Sequence, residues 1–322
     1  MIKAVILFAI GLVALIKGGD WFVDGAVGIA RRFRVPELLI GATVVSIGTT
    51  LPEVMVSASS ALSGHGEISY GNAIGSVICN TALIAALSIA VKPSSVNKKT
   101  LITPVLFFFL SALYYAFNAY FFGYFSRKSG IILLMIFIVY MFKLITDAMT
   151  QSKKNRNAQE IEKADSCSFK NILLIVIGAV LIAVGANLLV NNGIIIANEM
   201  GVPESIIALT FVALGTSLPE LITAITSLKK GHGLLSVGNI IGANLFNLVL
   251  VSGLSVTLAP FGIPSEKKVM GYSATLAVDI PVMFTVMLLF TLVPLIKGKM
   301  TRAQGITMLL IYAAFCAFQF SV

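Results

Sequence analysis

The sequence is short of charge, histidine, cysteine and tryptophan. Only 11% of its 322 residues are Asp, Glu, Lys or Arg, while 57% are apolar. A soluble domain averages about a quarter charged residues, and so few ionic side chains could not cover an aqueous surface of this size. A soluble enzyme and a nucleic-acid-binding domain are therefore excluded. The cysteines, Cys79, Cys167 and Cys316, stand at unrelated spacings that build neither a disulfide framework nor a zinc site. The N-terminal apolar run lacks a small-x-small cleavage site, so it reads as a first membrane span and not as a signal peptide.

What the chain does have is apolar length. A hydrocarbon core about 30 Å thick needs roughly 20 apolar residues in a helix, and ten segments qualify: about 4–28, 36–62, 68–91, 100–123, 129–147, 171–197, 203–228, 234–258, 269–295 and 301–320. The long polar interval 151–170 is expected to be a linker between five spans in residues 1–150 and five in 171–322. The net charge of +9 is gathered in short clusters between spans. Sixteen Lys and Arg fall on one set of alternating loops and five on the other. The basic side is expected to be cytoplasmic, which puts the linker in the cytoplasm and both termini outside a multi-pass protein of the cell membrane.

Residues 35–80 align without a gap on 202–247, at a constant offset of 167. Identities include Val35-Pro36-Glu37, Gly48-Thr49, Leu51-Pro52-Glu53, Gly64-His65-Gly66, Gly71-Asn72, Ile74-Gly75 and Asn80. Shared hydrophobicity cannot produce matched Pro, His, Asn and Glu. The match extends weakly backward, with Gly18 on Gly185 and Val23 on Val190. An odd number of spans per half makes equivalent helices cross in opposite directions. The expected fold is an all-α membrane protein of ten helices in two inverted-topology repeats, an architecture that places substrate at the midplane between repeats.

Each repeat carries one helix-breaking stretch, Gly48-Thr49-Thr50-Leu51-Pro52-Glu53 and Gly215-Thr216-Ser217-Leu218-Pro219-Glu220, so helices 2 and 7 are expected to be broken at the core. Proline removes an N–H and frees the carbonyl four residues back, here Gly48 and Gly215, and lipid offers that carbonyl no water. Helical spacing puts Thr49 and Thr50 on the face of Glu53, and Thr216 and Ser217 on that of Glu220. Asn80 and Asn247, on the following helices, are expected to reach the carboxylates. Two acids with hydroxyls and carbonyls make an all-oxygen set suited to Ca²⁺ and Na⁺, whereas softer metals would ask for Cys or His. Intramembrane carboxylates cost about 2.5–3.5 kcal/mol and default to function.

The stretches GTTLPE with GNAIGSVICN, and GTSLPE with GNIIGANLFN, resemble the paired α-repeats of sodium/calcium exchangers in the calcium/cation antiporter superfamily, over essentially the whole chain. The resemblance implies a prokaryotic member and a transporter rather than an enzyme. It would exchange Ca²⁺ for Na⁺ by alternating access, with no cofactor beyond the transported ions. It assigns metal-ligand roles to Glu53 and Glu220, to Thr49, Thr50, Thr216 and Ser217, to the carbonyls of Ser46 and Ala213, and to Ser76, Asn80 and Asn247. Ala243 departs from the serine of many relatives, and Asn247 from the aspartate of some. The resemblance also suggests that the first and sixth spans slide across the other eight. A Ca²⁺/H⁺ antiporter on the same scaffold is the alternative. Apart from lipid and the ions, no required partner is evident. Among the remaining residues, Asp20 and Asp24 are expected to pair with interfacial cations and His65 and His232 to serve as turn residues. Asp279 is expected to be a hydrogen-bonded structural acid, and Phe107-Phe108-Phe109 to face lipid.

Overall fold

A computed structural model describes residues 2–158, 168–200, 215–264, 268–269 and 271–321. Among these residues the chain forms ten helices: α1 (Ile2–Phe33), α2 (Glu37–Leu62), α3 (Gly66–Val91), α4 (Lys98–Phe122), α5 (Arg127–Ala158), α6 (Ser168–Glu199), α7 (Leu218–Lys229), α8 (Gly233–Leu258), α9 (Thr275–Lys297) and α10 (Arg302–Ser321). Eight of them are long and apolar enough to cross a membrane. The first part of the expected seventh span lies at 201–214, outside the described residues. The chain is an all-helical membrane protein. Its few strands are two-residue pairs, Tyr124–Phe125 with Phe261–Gly262 and Lys268–Val269 with Tyr272–Ser273.

The protein is layered by burial. The most apolar window of α8 is 89% buried, whereas that of α6 is 22% buried, so α8 is central and α6 presents most of its surface to lipid. With hydrocarbon on one side and protein on the other, close packing by small residues replaces the hydrophobic effect as the force between helices. The α1–α6 pair is built this way. Gly11 and Gly18 lie seven residues apart on α1, and Gly178 and Gly185 are spaced likewise on α6. A methyl group at Gly18 would sit 2.9 Å from the Gly178 carbonyl oxygen, and one at Gly185 would sit 2.8 Å from that of Gly11. Contacts advance along α1 as they recede along α6, so the two helices are antiparallel. The α2–α8 pair is parallel: Gly238 lies against the backbone of Leu38, and Gly242 against Ala42 and the Ser46 hydroxyl. The matching glycines of the first repeat, Gly71 and Gly75, open instead onto a cavity of about 450 Å³. The positions equivalent to Leu38, Ala42 and Ser46 there are 205, 209 and 213, outside the described residues.

The repeats also share turn geometry. Gly64 and Gly231 both adopt φ +83°, in the left-handed region where a side chain would be strained, and both histidines follow in matching conformations. His65 and His232 are turn residues, and the His232 Nδ1 additionally lies 2.8 Å from a Glu37 carboxylate oxygen.

Four expectations need correction. Helix 2 is not broken at Pro52: the α-helical turn runs unbroken from Ser46 to Leu62, and the irregularity is a wide π-turn upstream, Gly41–Val45. A proline removes only one backbone bond, and hydroxyls serve carbonyls at the wide turn, with Thr43 donating to Leu39 O (2.7 Å) and Ser46 to Gly41 O (2.8 Å). Phe108 does not face lipid but is fully buried, and Phe107 packs on Tyr140 with ring centres 5.4 Å apart. The ninth helix starts at Thr275 rather than near 269, because the chain first makes the Lys268–Val269 hairpin. The expected linker 151–170 begins as a helical extension of α5 through Ala158, and α6 resumes at Ser168.

Candidate functional site

The described part of helix 7 begins where the sequence indicates a break. Residues 215–217 form a turn, Leu218 N–H donates to Gly215 O at 3.5 Å, and the α-helix starts at Leu218 with Pro219 in its first turn. Proline is tolerated there because its missing N–H would have been an orphan donor anyway. Glu220 then stands in the first turn of α7, at the positive end of the helix dipole. Glu53 sits mid-helix on α2. Both glutamates have zero exposure, and each carboxylate feels the charge of the other. Glu220 also borders the hydroxyls of Thr49 and Thr50.

The next helices complete the arrangement crosswise. The wide turn Asn80–Ala85 of α3 packs on α7, while the equivalent turn Asn247–Val251 of α8 packs on the Ser46–Leu62 part of α2. Each asparagine opens a π-turn, a distortion frequent at functional sites. The repeats thus exchange partners at this level: each glutamate helix meets the asparagine helix of the other half.

Unsatisfied polar groups concentrate at this locus, although Ser69, Tyr70, Tyr115, Ser236, Asn244 and Ser255 each leave one buried polar atom unpaired elsewhere in the interior. Buried polar atoms are nearly always hydrogen-bonded. Yet all four carboxylate oxygens of Glu53 and Glu220, both amide atoms of Asn80 and of Asn247, and the hydroxyls of Thr50 and Ser217 are buried with no hydrogen-bond partner. These are six of the residues that the sequence singled out. Thr49 is buried as well and donates to Asn239 Oδ1 at 3.3 Å. Ser46 is buried with its hydroxyl donated to Gly41 O and Asn239 O, and Ser76 is buried on α3. Thr216 is half-buried in the turn, and Ala213 lies outside the described residues. Among the described residues no three or more His, Cys, Asp or Glu converge as metal ligands, and the acids of this locus are the two carboxylates.

Two amides escaped the sequence analysis as supports. Asn239 donates to the Thr223 hydroxyl at 3.1 Å while accepting from Thr49. Its repeat equivalent Asn72 donates to the Ser57 hydroxyl at 2.8 Å. Thr223 and Ser57 follow their glutamates by three and four residues, so each amide braces the glutamate-bearing helix of its own half. The repeat already marked both asparagines, but the absence of a matching hydroxyl hid their partners: Ser57 aligns with Ala224 and Thr223 with Val56. Phe22 of α1 covers the same region, its ring against Gly48. The acids outside the centre behave as expected. Lys230 pairs with Asp20 and Asp24, and Gln319 Nε2 donates to Asp279 at 2.9 Å.

Fold and centre together define a class, polytopic helical membrane proteins with a buried acidic, oxygen-rich locus between two related halves. Comparison with known proteins makes the class specific. The family model described as sodium/calcium exchanger protein matches residues 3–146 and 170–321, and the chain belongs to that family. It is 29% identical to the sodium/calcium exchanger MaX1 of Methanosarcina acetivorans, over 98% of each chain. It is 35% identical to the inner membrane protein YrbG of Escherichia coli, over 87% of each. Among solved structures it is similar to the sodium-calcium exchanger NCX_Mj soaked with Na⁺ and Sr²⁺, with a TM-score of 0.82 and 32% identity over 98% of each chain. The family and the relatives named for an activity, MaX1 and NCX_Mj, are exchangers, and this chain is a membrane transporter of that family.

Proposed function

We propose that this chain exchanges Ca²⁺ for Na⁺ across the cell membrane through one site held between Glu53 and Glu220. The observation that carries the reading is the set of buried, partnerless polar atoms on Thr50, Glu53, Asn80, Ser217, Glu220 and Asn247. A buried unpaired carboxylate is costly, and a bound cation removes that cost. Ca²⁺ takes six to eight oxygens in flexible geometry, and two carboxylates supply the matching charge. Thr49, Thr216, the Ser46 and Ala213 carbonyls and Ser76 are the remaining ligands of this reading.

Exchange follows from exclusion. Ca²⁺ and Na⁺ need the same carboxylate oxygens, so one leaves before the other enters. A pair neutralised by either can pass the apolar barrier, and a bare pair cannot. In this reading ten helices cross the membrane as two inverted halves, with the 151–170 linker in the cytoplasm and both termini outside. Access alternates as α1 and α6 move across the rest. The exposed surface of α6 and the small-residue α1–α6 seam support that division.

Isotopic Ca²⁺ uptake into liposomes tests the proposal, with Na⁺, K⁺ and H⁺ gradients imposed one at a time. An outward Na⁺ gradient should drive uptake. Uptake driven by a pH gradient alone would overturn Na⁺ exchange in favour of a Ca²⁺/H⁺ antiporter.

A further inference from the structure

The two halves differ in charge at one contact of α1. Lys230, in the turn after α7, donates its ammonium to the Asp20 carbonyl at 2.9 Å and to an Asp24 carboxylate oxygen at 2.8 Å. It also lies 3.4 Å from an Asp20 carboxylate oxygen. Asp20 and Asp24 are one helical turn apart on α1, so a single lysine ties α1 to the α7–α8 turn. The same turn is tied to the start of α2 by His232 and Glu37.

At the offset of 167 that relates the halves, Gly11 and Gly18 of α1 correspond to Gly178 and Gly185 of α6. The contact of Gly11 with Gly185 then maps onto that of Gly178 with Gly18, and both are present. The α1–α6 pair therefore obeys the two-fold relation between the repeats. Carried along the same register, Asp20 and Asp24 become Asn187 and Asn191, and Lys230 becomes Ser63. The counterpart of a three-charge cluster is wholly neutral. Asn191 instead donates its amide to Asn187 within α6.

Alternating access in inverted-repeat carriers is largely movement of one repeat or bundle against the other around a fixed site, and under the two-fold relation the opposite conformation gives α6 the arrangement that α1 has here. We propose that Asp20, Asp24 and Lys230 are a one-sided latch: it holds α1 in the present conformation, and the opposite conformation has no matching ion pair. In the present conformation the cavity of about 450 Å³ lined by Gly71 and Gly75 lies away from Lys230, and only about 10 Å³ lies beside Leu228 and Gly233. The inference rests on the exchange reading above. The cluster is partly exposed, with Lys230 at 27% and Asp24 at 57%, so its bias is modest, about two- to five-fold in the ratio of conformations. A ligand that meets its competent state only part of the time binds with correspondingly poorer apparent affinity. The latch thus weakens Ca²⁺ binding from the Lys230 face and favours it from the other.

The test is the apparent KM for Ca²⁺ at each face, in proteoliposomes of defined sidedness. Lys230→Ser, which copies Ser63, and the pair Asp20→Asn with Asp24→Asn, which copies α6, should each lower KM at the Lys230 face by about two- to five-fold and raise it at the other. Lys230→Arg keeps the ion pairs and should match the wild type. Transplanting the latch, Ser63→Lys with Asn187→Asp and Asn191→Asp, should shift both constants the opposite way. If one of these proteins fails to fold, the others pose the same question. Intact exchange with both KM values unmoved, or moved in the same direction, would overturn the latch. A wild-type protein inert to a Na⁺ gradient would overturn the exchange reading instead.

Discussion

Replacing Glu220 by glutamine separates a transport site from a structural acid, because the two roles predict opposite signs for stability. If Glu220 holds Ca²⁺ with Glu53, glutamine takes away one of two charges facing a divalent ion at zero exposure. Removing one partner of a buried charge pair costs about 3–5 kcal/mol, or two to four orders of magnitude in Ca²⁺ affinity at about 1.4 kcal/mol per decade. Exchange should become undetectable. The Ca²⁺-free protein should be no less stable, because neither Glu220 oxygen makes a well-formed hydrogen bond and the Thr49 and Thr50 hydroxyls beside it can serve the glutamine oxygen equally well. Relief of an intramembrane charge contributes about 2.5–3.5 kcal/mol. The partnerless amide takes back about 1–3 kcal/mol, leaving a change between about −0.5 and +2.5 kcal/mol by difference, neutral to stabilising. Thermal unfolding in detergent, with chelator and with Ca²⁺, would then show a mutant at or above the wild type in chelator but without the wild-type gain on adding Ca²⁺. Two results would refute the reasoning: near-normal Na⁺-driven Ca²⁺ uptake by Glu220→Gln, or clear destabilisation in chelator.

The same geometry sets further outcomes. Protons and Ca²⁺ compete for the same four carboxylate oxygens, so the apparent KM for Ca²⁺ should rise as pH falls from about 8 to about 5, and a flat profile would argue against paired carboxylates. Asn239→Ala leaves the Thr49 and Thr223 hydroxyls without their amide, and should destabilise the protein by about 1–3 kcal/mol while weakening Ca²⁺ binding. Thermal unfolding and a Ca²⁺ titration read both effects. Gly18→Val drives a side chain into the Gly178 carbonyl and should cost about 1–3 kcal/mol by overpacking, with a loss of transport rate; wild-type rate and stability would contradict a close α1–α6 seam.

The helices and the centre were legible for different reasons. Apolar length marks membrane helices from the sequence because lipid tolerates few charges, and the repeat then pairs Glu53 with Glu220 whatever the local packing. What the repeat cannot convey is where the halves cease to match. The π-turn at Gly41–Val45 has no sequence signature, since its carbonyls are served by Thr43 and Ser46 hydroxyls that look like ordinary helix residues. Proline at 52 indicates a break, yet the chain absorbs the loss of one bond without interrupting the turn. Phe108 is buried because α4 packs into the core along one face, and a helix apolar all round gives no sign of which face that is.

The departures between halves are themselves informative. A perfectly duplicated exchanger would present the same contacts at both faces, and no conformation would be preferred before ions bind. Here the central pair Glu53 and Glu220 and the amides Asn80 and Asn247 are kept identical, as the proposed exchange requires of a site that serves both conformations. Their surroundings are not. Asn72 braces α2 through Ser57, whereas Asn239 braces α7 through Thr223. At the helix ends, two aspartates and a lysine face two asparagines and a serine. Chemistry common to both directions is conserved between the repeats, and chemistry that distinguishes the directions is where the repeats diverge.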